Sequence, residues 1–151
     1  MSVDPSSVGS LLAGRETWAA ERLAPLVGRR FGGESPCWAC VREGLERLGV
    51  ELPAAYLEAR GVAVDLGELA SARAAAPGDV LLFDARREGE RPHLALAVGR
   101  GMAIHTGDPS AAAALAPSRV VADPISGLIA FGRPRLLRAL ALLTPAERSA
   151  T

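Results

Sequence analysis

The stretch Ser35-Pro36-Cys37-Trp38-Ala39-Cys40-Val41-Arg42-Glu43-Gly44-Leu45-Glu46-Arg47-Leu48-Gly49 decides how the rest of this chain is read. Ser35 is a good N-cap, and Pro36 then falls at the first helical position, where its missing N–H costs nothing. Cys37, Val41, Leu45 and Leu48 recur at helical spacing, with Arg42, Glu43, Glu46 and Arg47 on the opposite side. Gly49 supplies the C-terminal stop. The pattern predicts a helix with a cysteine in its first turn. There the unpaired backbone donors and the positive end of the helix dipole favour thiolate over thiol. The same donors can receive the oxyanion of a tetrahedral intermediate.

Upstream, residues 1–14 are rich in Ser and Gly and read as a flexible arm. A helical pattern follows around Trp18, Leu23, Leu26 and Val27, which Pro25 should end or kink. Gly28 to Ser35 is turn-rich and carries no strand pattern. Downstream, Pro53 to Arg60 and Leu66 to Ala75 read as short helices. Pro77-Gly78-Asp79 is a turn, and the pattern then changes to strands at Val80 to Phe83, His93 to Val98 and Met102 to Thr106. Polar Arg86 to Arg91 reads as an exposed hairpin loop, and Gly99-Arg100-Gly101 as a tight turn. Ser118 to Ala122 and Leu128 to Phe131 complete about five strands, and Leu136 to Leu143 looks helical. Helices first and an antiparallel meander second make an α+β domain over 15–135, with 136–151 as a helical tail.

The chain has only two histidines, and both fall on the meander. Twelve residues separate His93 from His105, an even number, as two side chains on one sheet face require. With the glycine turn midway, the hairpin should set them directly opposite one another. A histidine pair facing a helix N-terminus that bears a cysteine is an arrangement for a thiol nucleophile, its base and the base's orienter. The chain contains no Asn or Gln, so the orienting group must be His105 or a carboxylate. Asp79 and Asp84 lie nearest to the histidines in sequence, although Asp79 also suits a turn-capping role.

Composition narrows the partners. The 151 residues, 49% of them apolar, suit one domain with its own core. Seventeen basic residues, all Arg, cancel seventeen acidic ones, which gives no general attraction to nucleic acid or anionic membrane. No apolar run is long enough to span a bilayer, and the N-terminus shows no secretion-signal pattern. The expectation is a protein made in the cytoplasm.

The run from Cys37 to Arg42, followed by Gly49-Val50-Glu51-Leu52-Pro53, resembles the nucleophile helix of NlpC/p-sixty peptidases. Ala76 to Phe83 is similar to that family's Pro-Gly-Asp strand. His93-Leu94-Ala95-Leu96-Ala97-Val98-Gly99, with Gly101 and His105, resembles its two histidine segments. The likeness covers about residues 16 to 133, and the ordered Cys–His–His pattern is more specific than any one piece. It implies a papain-like fold in which the nucleophile helix packs on an antiparallel sheet. It also implies a cysteine endopeptidase of peptidoglycan stem peptides needing no cofactor or metal. Cys37 would be nucleophile, His93 general base and acid, and His105 its orienter, with Phe31, Ser35 and Trp38 lining the cleft. The Trp after the nucleophile looks most like the phage-tail members. Hub or tip proteins would then be partners, and a tail particle would carry the chain to the periplasm or cell wall. Pro36 stands where the family has Asp, Ala39 where it has Gly, and Cys40 where it has Leu. Phe31 replaces a cleft Tyr.

Other readings stay open on the residues alone. A catalytically inactive tail subunit would keep the fold. Cys37-x-x-Cys40 opening a helix imitates a thiol–disulfide oxidoreductase, but no hydrophobic strand precedes it. Zinc held by Cys37, Cys40, His93 and His105 would need an unusual histidine spacing. Cys40, where the family is apolar, reads as a small buried hydrophobe.

Overall fold

A computed structural model describes residues 17–32, 36–52, 63–70, 75–83, 93–106, 118–129, 133–143 and 149. The expected arm, Ser35, the Pro53 to Arg60 helix, Asp84 and the Arg86 to Arg91 loop lie outside them. Helix α1 occupies 17–23 and gives way at Pro25 to a 3-10 turn, Ala24–Leu26, because proline cannot donate the next helical bond. Helix α2 spans Pro36–Arg47. Gly49, at φ 85°, closes it: Gly49 N–H bonds to Glu46 O at 3.0 Å and Val50 N–H to Leu45 O at 2.9 Å. Arg42–Glu46 and Arg47–Glu43 pairs run along its solvent side. Its buried face holds Trp38, Cys40, Val41, Gly44 and Leu45. Trp38, expected to line a cleft, is only 8% exposed and packs in the core instead.

The strands are β1 (Arg30–Phe31), β2 (Ala63–Glu68), β3 (Val80–Phe83), β4 (His93–Gly99), β5 (Met102–Thr106), β6 (Ser118–Pro124) and β7 (Arg135–Ala139), with a one-turn helix α3 at Ile125–Leu128. Among the described residues they form one seven-stranded sheet in the order β1-β6-β5-β4-β3-β7-β2, antiparallel at every pairing. The α+β architecture is as expected; several elements differ, each for a tertiary reason.

Leu136 to Leu143 is not a helical tail. Arg135–Ala139 pairs with β3 on one side and β2 on the other, and only Leu140–Leu142 turns helically. A domain boundary at 135 would cut this interior strand. Good helix formers such as Leu, Arg and Ala yield here to two ladders of hydrogen bonds. Leu66 begins no helix either. Gly67, at φ 90°, bonds back to Asp65 Oδ1 at 2.8 Å and bulges the strand. Arg135 bonds Asp65 Oδ2 at 2.8 Å, and this bond holds the Asp65 carboxyl below its usual range. Arg30–Phe31, expected to lie in a turn, is drawn onto β6 by Gly28 N–H to Val120 O at 2.9 Å and Val120 N–H to Arg29 O at 2.8 Å. Leu128 ends α3 rather than starting a strand, since Pro124 closes β6 and Ile125 N–H bonds Gly101 O at 2.7 Å; 130 and 131 lie outside the described residues.

Each face of the sheet has its own core. Leu94, Leu96, Ile104 and Val120 pack with α1 and α2. Ala95, Ala97 and Ala103 pack on the other side with Leu81, Phe83, Ile125, Leu128 and Leu136. Helix α2 lies close to β4 because Gly44 has no side chain: a Cβ there would collide with Leu96 Cδ2.

Asp79, 1% exposed, accepts from the Ala76 N–H at 2.8 Å and from Arg138 Nε and Nη2 at 2.7 and 2.8 Å. It ties the turn before β3 to β7. Replacing Arg138 with Met should cost about 3–5 kcal/mol by stranding a buried carboxylate, read as a lower urea midpoint at constant slope. Adding Asp79→Leu should recover part of the loss. A single-variant cost within about 0.5 kcal/mol, the range of surface substitutions, would show the pair to be incidental.

Candidate active site

Strand β4 begins with His93, and β5 carries His105 at its fourth position. Between them Gly99, Arg100 and Gly101 all take positive φ, at 94°, 56° and 73°. The register runs Leu96↔Ile104 and Ala97↔Ala103, then shifts before Gly99↔Met102. Extended one step, it sets His105 across from Ala95, so the histidines are not directly opposed as expected. The offset is two residues, which keeps both side chains on one face. They meet diagonally, within reach of aromatic side chains. His93 Nε2 lies 3.2 Å from His105 Nδ1, with the rings edge-on at 88°. Phe83, the cross-strand partner of His93, sets its ring centroid 6.1 Å from the imidazole.

A third group completes the line. Asp123, near the end of β6, places Oδ2 2.7 Å from His105 Nε2. It pairs with Ala103 in register, as His105 pairs with Val121, so it joins its histidine by the same diagonal. His105 is 4% exposed, while the Asp123 side chain is 47% exposed. The sequence reading missed Asp123, having ended this strand at Ala122 and sought carboxylates near the histidines in the chain. The available signal was strand length: continued one residue past Ala122, the strand takes in Asp123, whose face the register with β5 decides. Asp79, one of the two carboxylates considered with Asp84, serves the turn and Arg138.

Cys37 lies in the first turn of α2, partly exposed and packed against the α2-side core. Helix α2 rests on β4 and β5, the strands of the two histidines. Phe31, half-buried on β1 beside α2, packs against the same core under the Arg29 guanidinium. Arg29 also pairs with Glu43 of α2. Cys40 is fully buried, and that burial, with Cys37 and Glu43 adding, pushes its thiol from 9.0 up to about 12. A thiol so disposed is a poor thiolate for disulfide exchange or zinc. Among the described residues, no three His, Cys, Asp or Glu side chains are arranged to hold a metal, and no helix is long and apolar enough to cross a membrane.

No protein-family model matches this chain, and no curated protein matches it significantly. Solved structures do. An NLP/p-sixty family protein described as similar to lipoprotein, from Staphylococcus aureus, superposes with a TM-score of 0.52 at 15% identity over 92% of this chain. The chain spans 43% of that protein's length. The p-sixty domain of an antigen from M. avium subspecies paratuberculosis superposes with a TM-score of 0.52 at 15% identity, over 85% of this chain and 96% of the domain. The chain shares the fold of NLP/p-sixty proteins.

The raised Cys40 pKa links its thiol to stability. Above about pH 9 the unfolded thiol loses its proton while the folded one keeps it up to about 12. The folded state then binds more protons, so stability falls as pH rises through this window, by at most about 1.4 kcal/mol per pH unit. Unfolding measured from pH 9 upward should show a steeper decline in the wild type than in Cys40→Ala. Parallel declines would mean that the thiol titrates alike in both states.

Proposed function

We propose that this chain is a cysteine peptidase of the NlpC/p-sixty type that cleaves amide bonds in peptidoglycan stem peptides. The observation that carries the reading is the hydrogen-bonded His93–His105 pair on the two strands beneath the helix whose first turn bears Cys37. Helix α2 covers the Leu94–Leu96 side of β4, and His93 is the first residue of that strand. His93 shares a face with Ala95 and Phe83, opposite the side that α2 covers, so thiol and imidazole would meet around the strand's N-terminal end. His93 Nε2 is bonded to His105, so Nδ1 is the atom that the thiol would address.

In this mechanism the Cys37 thiol passes its proton to His93 Nδ1, and Sγ attacks the peptide carbonyl. Backbone donors of the first turn of α2 receive the oxyanion. His93 returns the proton to the leaving amine as the C–N bond breaks, leaving an acyl thioester on Cys37. It then takes a proton from water, whose oxygen displaces Sγ and frees the carboxylate. His105 holds the imidazole plane throughout. The choice of peptidoglycan rests on the likeness to NLP/p-sixty folds and on the motif pattern. Delivery by a phage tail, with hub or tip proteins as partners, rests on the motif resemblance alone.

Digestion of purified peptidoglycan, with released fragments weighed, tests the reading. Wild type should release stem-peptide fragments and Cys37→Ala none, with its fold intact. Cys40→Ala should retain most activity. His93→Ala should lose roughly 10²- to 10⁴-fold, and His105→Ala less. Equal loss from both cysteine variants would favour redox or metal chemistry. No release by folded wild type would favour an inactive tail subunit.

A further inference from the structure

The hydrogen-bonded line from His93 ends on a residue that the proposed mechanism leaves without a role. Asp123 contributes no catalytic step, yet it is the group from which the protons of both rings follow. An ionised carboxylate can only accept. Its Oδ2 lies 2.7 Å from His105 Nε2, so that nitrogen carries the hydrogen. Neutral His105 then presents a lone pair at Nδ1, 3.2 Å from His93 Nε2. His93 Nε2 must in turn donate, which leaves the lone pair of neutral His93 on Nδ1. Removing the carboxylate releases every later choice. With no acceptor at its far end, His105 can carry hydrogen on Nδ1 and donate it to His93, whose Nδ1 is then an N–H with no basic lone pair.

Burial makes the line selective. His105 is 4% exposed, so bulk water competes little for its nitrogens, whereas the Asp123 side chain, 47% exposed, keeps its charge partly solvated. We infer that Asp123 is a positioning residue that, through His105, fixes His93 in the tautomer whose basic atom is Nδ1. The effect of this tautomer on turnover rests on the peptidase reading; the tautomers themselves do not.

The experiment separates the two. With only two histidines, nitrogen-15 labelling of histidine gives a long-range nitrogen–proton spectrum of two rings. At the neutral limit of a pH titration, wild type should show both rings as Nε2–H. Asp123→Asn, nearly isosteric and able to offer an amide N–H to His105, should move both rings to Nδ1–H, as amide substitution does in serine-peptidase triads. Asp123→Glu keeps a carboxylate and should retain the wild-type tautomers. On peptidoglycan, Asp123→Asn should lower kcat roughly 10- to 100-fold, the scale for outer partners that fix a histidine tautomer, with KM unchanged and partial rescue by Asp123→Glu. Wild-type His105 protonated at Nδ1 would overturn the inference, as would unchanged tautomers in Asp123→Asn. A wild type that shows the expected tautomers but cleaves no peptidoglycan would remove the peptidase reading and leave the inference standing.

Discussion

The pairing of β4 with β5 is the constraint on which the rest depends. Gly99, Arg100 and Gly101 are all left-handed, and Arg100 is the one non-glycine residue with positive φ among those described. Such a residue costs about 1–2 kcal/mol in isolation and persists where its surroundings over-determine it. Here the bond from Ile125 N–H to Gly101 O clamps the turn from β6 and α3. Because side chains alternate, an odd slip at this turn would send Leu96 and His93 to the wrong faces. The even offset keeps Leu94, Leu96 and Ile104 under α2 and His93 and His105 on one side.

The two faces are filled differently, and the difference positions the site. Large aliphatic residues of the central strands meet the helices, and Gly44 lets α2 settle onto Leu96. On the other face, Ala95, Ala97 and Ala103 leave room for Phe83, Ile125, Leu128 and Leu136 to close over the sheet. The histidine line runs beside this second core. Phe83 belongs both to the core and to the surroundings of His93. Dense packing of this kind holds side chains in single rotamers, which a hydrogen-bonded line three residues long requires.

Local patterns predicted the parts of the fold that local physics decides. Helix α2, the three strands around the histidines and the turn between them carry their own caps, periods and glycines, and they are found where expected. Most of the misreadings were pairings. Arg135–Ala139 is built of helix formers, and its ladders with β3 and β2 and the reach of Arg138 to Asp79 make it a strand. Arg30–Phe31 is too short to show a period and is set by bonds to Val120. Trp38 was misread for another reason: the buried face of Pro36–Arg47 is wide enough to take in Trp38 beside Val41 and Leu45. At the candidate site, the closeness of the two histidines and the place of Cys37 in the first turn of α2 were legible from spacing and capping. Asp123 was not, because its place follows from a third strand's register.

The two aspartates show why proximity in sequence misled and what distinguishes a structural carboxylate from a positioning one. Asp79 is buried and bonded at both oxygens to a guanidinium that never loses its charge. Such a pair has no second tautomer to choose between and can transmit nothing; it can only hold β7 to the turn. Asp123 is half-exposed and bonded to an imidazole, whose two nitrogens exchange roles when one is engaged. Its preference therefore passes through His105 to His93. A carboxylate acts at a distance when its partner has two states to choose between, and here only the histidine line offers that choice.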